Sequence, residues 1–426
     1  MTDLPAGAHD IISAGSALMK RRNRRQSLLK GLGIAAICFA GVMLFILVAS
    51  LVATGYKAFT QTHLRLEVYV DPAEIRAEKL PRGGFNKVLL ASLKAQIPDV
   101  TSRADLRRLK GMLSKGAQFV LRDRVVADPG LIGQTITVSV PVSDDYDQLA
   151  KGLIKRDTPE KQRKLSDREI SWFDTLDAAG LISQPLNWRL LSRADSRFPE
   201  LAGLKGAIMG SFWALLVCFL ISFPLGIGAA IYLEEFAPKN RLSDIIEVNI
   251  NNLAAVPSIV FGLLALAVFL GWFGLPRSAP LVGGMTLALM TMPTIIIATR
   301  AALKAVPPSI REAALGVGAS KHQVVFGHVL PLAMPGVLTG TIIGLAQALG
   351  ETAPLLLIGM NAFITSAPSG PLDSATALPT QIFIWADSPE RGFVSRTSAA
   401  ILVLLAFLVI MNGVAIYLRS RFERRW

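Results

Sequence analysis

The chain has 426 residues, of which 52% are hydrophobic, and its mean hydropathy is +0.47. Apolar stretches of about twenty residues recur, which is the length that a helix needs to cross a bilayer. The formal net charge of +13 does not indicate nucleic-acid binding, because the basic residues lie beside apolar stretches or are mixed with acids. Cys38 and Cys218 each lie in an apolar stretch, which excludes a disulfide framework and a cysteine metal centre. The composition predicts a polytopic α-helical membrane protein.

The N-terminal segment carries the first orientation signal. Residues 1–30 are polar and end in a basic cluster, which favours a tail that stays in the cytoplasm. The apolar run at residues 31–56 is longer than the core of a typical signal peptide and has no convincing cleavage site. We therefore predict an uncleaved first transmembrane helix, with cleavage as the alternative.

Residues 57–200 contain no spanning segment and mix acids with bases, so we predict one soluble α/β domain outside the membrane, inserted after the first helix. Alternating apolar residues predict two strands, at 64–70 and 135–142. Helical periodicity predicts three helices, at 85–97, 103–113 and 167–179. The charged run 151–168 is interpreted as a solvated linker or helix face. His63 has no Cys or His neighbour at ligand spacing, so we predict no metal site.

Residues 201–426 contain five further apolar stretches, and we predict transmembrane helices near 206–233, 253–273, 279–299, 333–360 and 399–418. Counting from a cytoplasmic N-terminus places the segment 300–331 and the C-terminal tail in the cytoplasm. The distribution of positive charge agrees, because both segments carry four basic residues whereas the loop near Leu275 carries only Arg277.

The segment between the third and fourth of these stretches carries a helix-turn-helix pattern. Ser309 with Glu312 predicts a capping box at the start of a short helix, and Gly316 and Gly318 end it. A second capping pair, Ser320 with Gln323, predicts another helix start.

This arrangement resembles the EAA loop of binding-protein-dependent ABC importer permeases, in which a small exposed helix docks into a cleft of the cytosolic ATPase. The resemblance rests on Glu312, Ala313, Ala314, Gly318, Leu330 and Pro331. It implies that residues 307–331, with Ser309 and Arg311 in the exposed helix, couple the chain to an ATPase dimer. It also implies the type I importer permease fold, here with six transmembrane helices in all.

The next apolar stretch combines small and polar residues. A small residue recurs every four positions, which predicts close helix packing, at Gly336, Gly340, Gly344 and Ala348. Gln347 and Glu351 are also four apart and share a helix face. Because a carboxylate is costly in hydrocarbon, we favour a substrate-pathway role for Glu351 over a structural hydrogen bond.

Three segments narrow the resemblance, namely 251–262, 312–318 and 350–356. They look like the phosphate-specific transport permeases of the PstA type. Membership would imply inorganic phosphate import by alternating access, with a sister permease (PstC-like), an ATPase dimer (PstB-like) and an extracytoplasmic phosphate-binding protein (PstS-like). The pathway candidates are Asn252, Arg300, Gln347, Glu351 and Thr352.

Gln347 and Ile297 stand where many members have an arginine. Phosphate needs donors or positive charge along its route, so we expect the sister subunit to supply them, with Arg300, Gln347 and backbone groups as an alternative. Import of another oxyanion, such as sulfate or molybdate, is a second reading, and a membrane sensor with an external ligand-binding domain is a third.

No G-x-x-x-x-G-K-[ST] loop occurs in the chain, so we expect the partner to use ATP and Mg²⁺ while this chain is no enzyme and binds no cofactor. We expect a multi-pass protein of the bacterial cytoplasmic (inner) membrane. Both termini would be cytoplasmic, and the chain would contact membrane lipid and no nucleic acid.

Overall fold

The computed structural model describes residues 6–75 and 83–422. The chain divides into two compact units, residues 1–54 and 55–426, so the domain boundary predicted at residue 200 lies inside the second unit. Helix α1 (Ala6–Gly55) begins well before the predicted start of the first span. Lysine and arginine are good helix formers, so the helix continues through the basic cluster.

The second unit begins with an antiparallel three-stranded sheet in the order β2-β1-β3, formed by β1 (His63–Tyr69), β2 (Thr135–Pro141) and β3 (Ile182–Ser183). Both predicted strands are confirmed. In β1, Leu64, Leu66 and Val68 are buried while the residues between them face outward. This alternation is what allowed β1 to be predicted, whereas two residues of β3 are too few to show a period.

Helices cover the buried face of this sheet and complete an α/β layer, at α2 (Phe85–Gln96), α3 (Arg103–Met112), α4 (Ala117–Ala127), α5 (Asp144–Ala150) and α6 (Asp167–Ala178). The three predicted helices are confirmed within one residue at their ends. Helices α4 and α5 were not predicted. The run 151–168 contains only turns and a short 3₁₀ helix (Glu160–Gln162) before α6, which agrees with its interpretation as a linker.

The membrane core follows the short helix α7 (Arg189–Ser192). Its long helices are α8 (Lys205–Ile231), α11 (Pro280–Lys304), α14 (Leu330–Gly350) and α17 (Gly392–Phe422). Helix α8 continues as a π-helical turn, Tyr232–Phe236. Together with Arg22–Phe59, the part of the chain that the structure describes has five helices long and apolar enough to cross a membrane.

A sixth span depends on a bent pair of helices. Helix α9 (Arg241–Ala254) and the run Ser258–Trp272, which is α10 (Ser258–Ala265) followed by π-helical turns, are bent by 100°. The predicted continuous helix 253–273 is therefore wrong. Pro257 disfavours a helical conformation in the residue before it, so the chain turns there and α10 begins at Ser258.

The segments between α14 and α17 also differ from the prediction. The predicted helix 333–360 ends at Gly350, because Glu351 adopts an extended backbone with ψ of 126°. A short helix, α15 (Ala353–Leu357), follows it. Helix α16 (Leu378–Ala386) lies in a segment for which no helix was predicted.

The small-residue face of α14 packs directly on α11, as predicted. A Cβ atom placed on Gly336 would lie 2.6 Å from the Cβ atom of Ala302. A Cβ atom on Gly340 would lie closer still to that of Ala298. Only glycine leaves room for the two helices to approach in this way.

The variant Gly340→Ala should therefore destabilise the protein by about 1–3 kcal/mol, because the added methyl group overpacks a rigid contact. Thermal unfolding in detergent would measure the change. Gly228→Ala in α8 is the matched control, since a Cβ atom there meets nothing within 4 Å. Equal unfolding temperatures for the two variants would contradict this account of the packing.

Buried charges join the α/β layer to the start of α17. Arg396 is 3% exposed and donates hydrogen bonds to the carbonyl oxygen of Ala202 (2.8 Å) and to Oε1 of Gln61 (3.0 Å). Oδ2 of Asp144 accepts a hydrogen bond from the backbone N–H of Gly392 at 3.1 Å. These bonds fix the layer to the helix, because removing one partner would leave a buried polar group unsatisfied.

Burial raises the pKa of Asp144 from 3.8 to about 6, against the lowering effect of its hydrogen bond from Gln148. The folded state then binds more protons than the unfolded state between about pH 4 and 6, so the contribution of Asp144 to stability falls as the pH rises through this window.

The variant Asp144→Asn cannot ionise, so its stability relative to the wild type should rise by up to about 3 kcal/mol between pH 4 and 7. Thermal unfolding of both proteins across this range would measure the difference. Asp99→Asn, at an exposed carboxylate of the same layer, is the control and should show no comparable trend. A flat difference for Asp144→Asn would contradict the raised pKa.

Candidate functional site

The predicted coupling helix is present as α12 (Pro308–Gly316). Its start differs from the prediction, because Pro307 is the N-cap residue and the Ser309 side chain makes no capping hydrogen bond. The predicted capping box of Ser309 and Glu312 is therefore wrong, because the N-cap lies two residues earlier. Proline at the first helical position has the required φ angle and lacks the N–H group that a cap would satisfy.

The turn after α12 follows the prediction. Gly318 has a φ angle of +87°, which glycine adopts without strain. The capping box of Ser320 and Gln323 is formed and begins α13 (Lys321–Val324). A π-helical turn, Val325–Val329, then leads into α14, whose first two residues are Leu330 and Pro331. The segment therefore consists of α12 and a turn, followed by α13 and the π-helical turn, which continue without a break into α14.

Arg311 links α12 to the ends of two long helices. Its guanidinium donates to Oε1 of Glu235 at 2.8 Å, beyond the end of α8. It also donates to the carbonyl oxygens of Leu303 (2.9 Å) and Val306 (2.8 Å), at the end of α11. Carbonyl groups at a helix C-terminus have no partner within the helix and carry partial negative charge, so a guanidinium satisfies them well.

The surface of α12 and of the turn after it that faces away from the core is exposed. Glu312 and Ala313 are exposed, whereas Ala314 is buried against the core. The apolar side chains of Leu315 and Val317 are 51% and 86% exposed. A small helix that projects exposed apolar and acidic side chains is suited to dock into a groove of a partner protein.

Arg300 belongs to an ion-pair cluster near the coupling segment. Its guanidinium lies 3.3 Å from Oε2 of Glu234 and 2.8 Å from Oε2 of Glu247. Lys304 also approaches Glu234, at 3.6 Å. The cluster joins the ends of α8 and α11 to α9.

This position separates Arg300 from the pathway candidate Gln347. Because Gly336 and Gly340 meet Ala302 and Ala298, α14 runs antiparallel to α11. Gln347 therefore lies about 13 Å further along the helix axis than the level of Arg300. The structure therefore does not bring Arg300 to the level of Gln347, one of the two positions where many family members have an arginine.

The remaining candidates lie around the break after α14. Gln347 is exposed, and Glu351 and Thr352 are half-buried where the helix ends. Within residues 6–75 and 83–422, no basic side chain forms a salt bridge with Glu351. A carboxylate at such a break can face a passage between subunits.

Asn252 lies exposed in the last turn of α9, beside the bend. Helix α10, on the other side of the bend, packs closely against α15, because a Cβ atom on Gly262 would lie 2.7 Å from Cα of Pro354. The bend and the break are therefore neighbours through this contact.

Sequence reasoning missed the acidic residues Glu234, Glu235 and Glu247, which hold Arg300 and Arg311. A signal was available, since two adjacent glutamates directly follow an apolar stretch at an end where basic residues are expected. Such charges are candidates for ion pairs with the basic residues of the neighbouring loop.

Two family descriptions match the chain. Residues 222–425 match the family described as a binding-protein-dependent transport system inner membrane component. Residues 16–160 match a domain of unknown function, DUF3333. The apolar helices, the coupling segment and the first of these matches define a permease subunit of an ABC-type transporter in the inner membrane, which is not itself an enzyme.

Individual relatives identify the family more specifically than the family descriptions do. The chain is 34% identical to the phosphate transport system permease protein PstA of Yersinia pestis, over 50% of this chain and 71% of that protein. It is 30% identical to PstA 2 of Mycobacterium bovis, over 62% of this chain and 91% of that protein. The match to the probable ABC transporter permease YqgI of Bacillus subtilis, at 31% identity, covers 40% of this chain and 58% of that protein. The chain belongs to the PstA family of phosphate transport permeases.

Arg311→Gln should loosen α12, because it removes charge-assisted hydrogen bonds to a carboxylate and two carbonyl groups. We expect amide hydrogen exchange in residues 308–316 to become about tenfold faster. Lys239→Gln removes an exposed charge close in sequence to Glu235, the partner of Arg311, and is the control. Unchanged exchange in Arg311→Gln would show that these bonds do not hold the helix.

Proposed function

We propose that this chain is the transmembrane permease subunit of an ATP-driven importer of inorganic phosphate. One observation carries the coupling role: α12 is bound through Arg311 to the ends of α8 and α11 while its outer surface, with Glu312, is exposed. The family relationship supports phosphate as the substrate, since the related proteins are phosphate transport permeases.

In this proposal an ATPase dimer binds the exposed surface of α12, with ATP and Mg²⁺ held by the ATPase. Closure of the dimer displaces α12, and Arg311 passes the displacement to Glu235 and to the end of α11. Because the glycines of α14 pack directly against α11 without a gap, the two helices move together and do not slide past each other. Rocking of this pair would open the route alternately to the two sides of the membrane.

The proposed topology places both termini and α12 in the cytoplasm. The α/β layer would then be extracytoplasmic, because it precedes the start of α8 while Arg311 contacts the residue Glu235 beyond its end. An extracytoplasmic phosphate-binding protein (PstS-like) would deliver substrate on that side. The six-helix type I importer fold follows if the bent pair of α9 and α10 crosses the membrane once.

The proposed phosphate route passes Gln347, Glu351 and Thr352. A phosphate ion requires hydrogen-bond donors or positive charge, and the pathway candidate Arg300 is engaged by Glu234 and Glu247. We therefore propose that the sister permease (PstC-like) supplies the charged donors. Gln347 would contribute an uncharged amide donor.

The double variant Glu312→Ala/Gly318→Ala tests the coupling role. Uptake of labelled phosphate, in a strain that lacks the native chain, should fall by at least about tenfold because a docking contact is lost. Membrane insertion, followed by immunoblotting of the membrane fraction, should be unchanged. Normal uptake by this variant would exclude α12 as the coupling element.

Competition tests the substrate separately. Excess unlabelled phosphate should abolish uptake of the label by the wild-type chain, whereas excess sulfate or molybdate should not. Inhibition by sulfate as strong as that by phosphate would replace phosphate with a broader class of oxyanions.

A further inference from the structure

A crevice of about 640 Å³ lies at the end of the membrane core opposite the coupling helix. It is bounded by α4 of the α/β layer and by the segment 189–201, which precedes α8. Phe119, Val120 and Leu201 form an apolar part of its wall. The polar part of the wall consists of Arg122, Asp123, Arg189, Arg193, Asp195 and Thr365.

The two carboxylates of the crevice already have partners. Asp123 forms an ion pair with Arg122 at 2.9 Å. Oδ1 of Asp195 accepts a hydrogen bond from Nε1 of Trp385 at 2.9 Å, and burial raises the pKa of Asp195. Neither carboxylate forms a salt bridge with Arg189 or Arg193 within the described residues, although the negative charge of Asp123 also acts on Arg189.

Arg189 and Arg193 carry the unneutralised charge. Among the residues that the structure describes, neither guanidinium forms a salt bridge or a hydrogen bond with another group of the chain. Burial and the positive charge of Arg193 lower the pKa of Arg189, against the raising effect of the Asp123 charge. Two arginines that repel each other and form no ion pair within the described residues favour an anion from outside.

The crevice lies where the long helices begin. Leu190, between the two arginines, is buried with Ala58, Leu204 and Ala399, which lie beside the starts of α8 and α17. Its neighbours Leu186 and Trp188 are 54% and 68% exposed. Exposed tryptophan and leucine beside arginine are typical of the boundary between a bilayer and water.

We propose that this crevice binds the phosphate headgroup of an anionic glycerophospholipid, from the leaflet opposite the coupling helix. Arg189 and Arg193 would hold the phosphate oxygens, because the guanidinium fork matches phosphate geometry. Trp188 would lie in the interfacial region beside the bound lipid. The lipid would link the α/β layer to the bilayer surface, since α4 forms one side of the crevice.

A lipid headgroup fits these observations better than a free phosphate ion. The volume of about 640 Å³ is in the range of sites for drug-sized ligands, whereas a bare phosphate would fill only a small part of it. The exposed apolar side chains also have no role toward a free ion. The proposal depends on the position of the crevice and not on the transported substrate, so it goes beyond the proposed function.

Native mass spectrometry of the full-length chain, titrated with phosphatidylglycerol in detergent, tests the proposal. In Arg189→Gln/Arg193→Gln, the affinity of the tightest lipid site should fall by at least about tenfold, because charge-assisted hydrogen bonds are lost. The control Arg65→Gln/Arg156→Gln removes two exposed charges from the same layer outside the crevice and should leave this affinity unchanged. Trp188→Ser should weaken the site as well.

Three results would overturn the assignment: unchanged lipid affinity in the double variant, an equal loss in the control, or inorganic phosphate binding at this site as tightly as the lipid. The last result would make the crevice a free-anion site. Size-exclusion chromatography reports whether each variant is folded. If the double variant is not folded, the single variant Arg193→Gln, at an exposed residue, is measured against the same criteria.

Discussion

The contact between α11 and α14 through glycine is the constraint on which the rest of the core depends. Lipid surrounds such helices, so apolar burial contributes little to their association and close van der Waals packing must hold them. Gly336 and Gly340 allow that packing against Ala302 and Ala298. The end of α11 accepts the hydrogen bonds of Arg311, and α14 continues the chain that leaves the coupling segment. Two attachments of that segment therefore belong to one rigid pair of helices, and the bond from Arg311 to Glu235 adds a third at the end of α8.

Charged groups at the two ends of this core differ in their surroundings. Near the coupling segment, Glu247 of the Arg300 cluster keeps a side chain that is 44% exposed, so water can replace its partner when the helices move. At the other end Asp147 and Lys151 lie 2.6 Å apart, and each side chain is less than 10% exposed. A buried pair adds little net stability, yet breaking it is costly. The contrast fits a fixed junction at the α/β layer and an adjustable one near α12.

Local patterns predicted the local structure. Alternation located β1 and β2, and the pair Ser320 and Gln323 located a helix start that is formed by those side chains. The same type of pattern failed at Ser309, because Pro308 provides a competing start signal one residue earlier. The carboxylate partners of Arg300 and Arg311 come from residues 53 to 76 positions away. No periodicity within a single segment could have revealed such pairs.

In the spanning helices, the exposure of an apolar side chain has a different meaning from the exposure of a polar side chain. On α10, Ile259, Val260 and Leu263 are each more than 40% exposed. Contact with lipid removes the free-energy cost of such exposure, so exposed apolar residues there do not identify a subunit interface. An exposed polar side chain in a spanning helix is different, because hydrocarbon cannot satisfy its hydrogen bonds. Gln347 is such a side chain, and Glu351, which forms no salt bridge among the residues that the structure describes, lies four residues beyond it. This face of α14 must therefore meet water or another polypeptide, which is where half of a transport route formed between two subunits would lie.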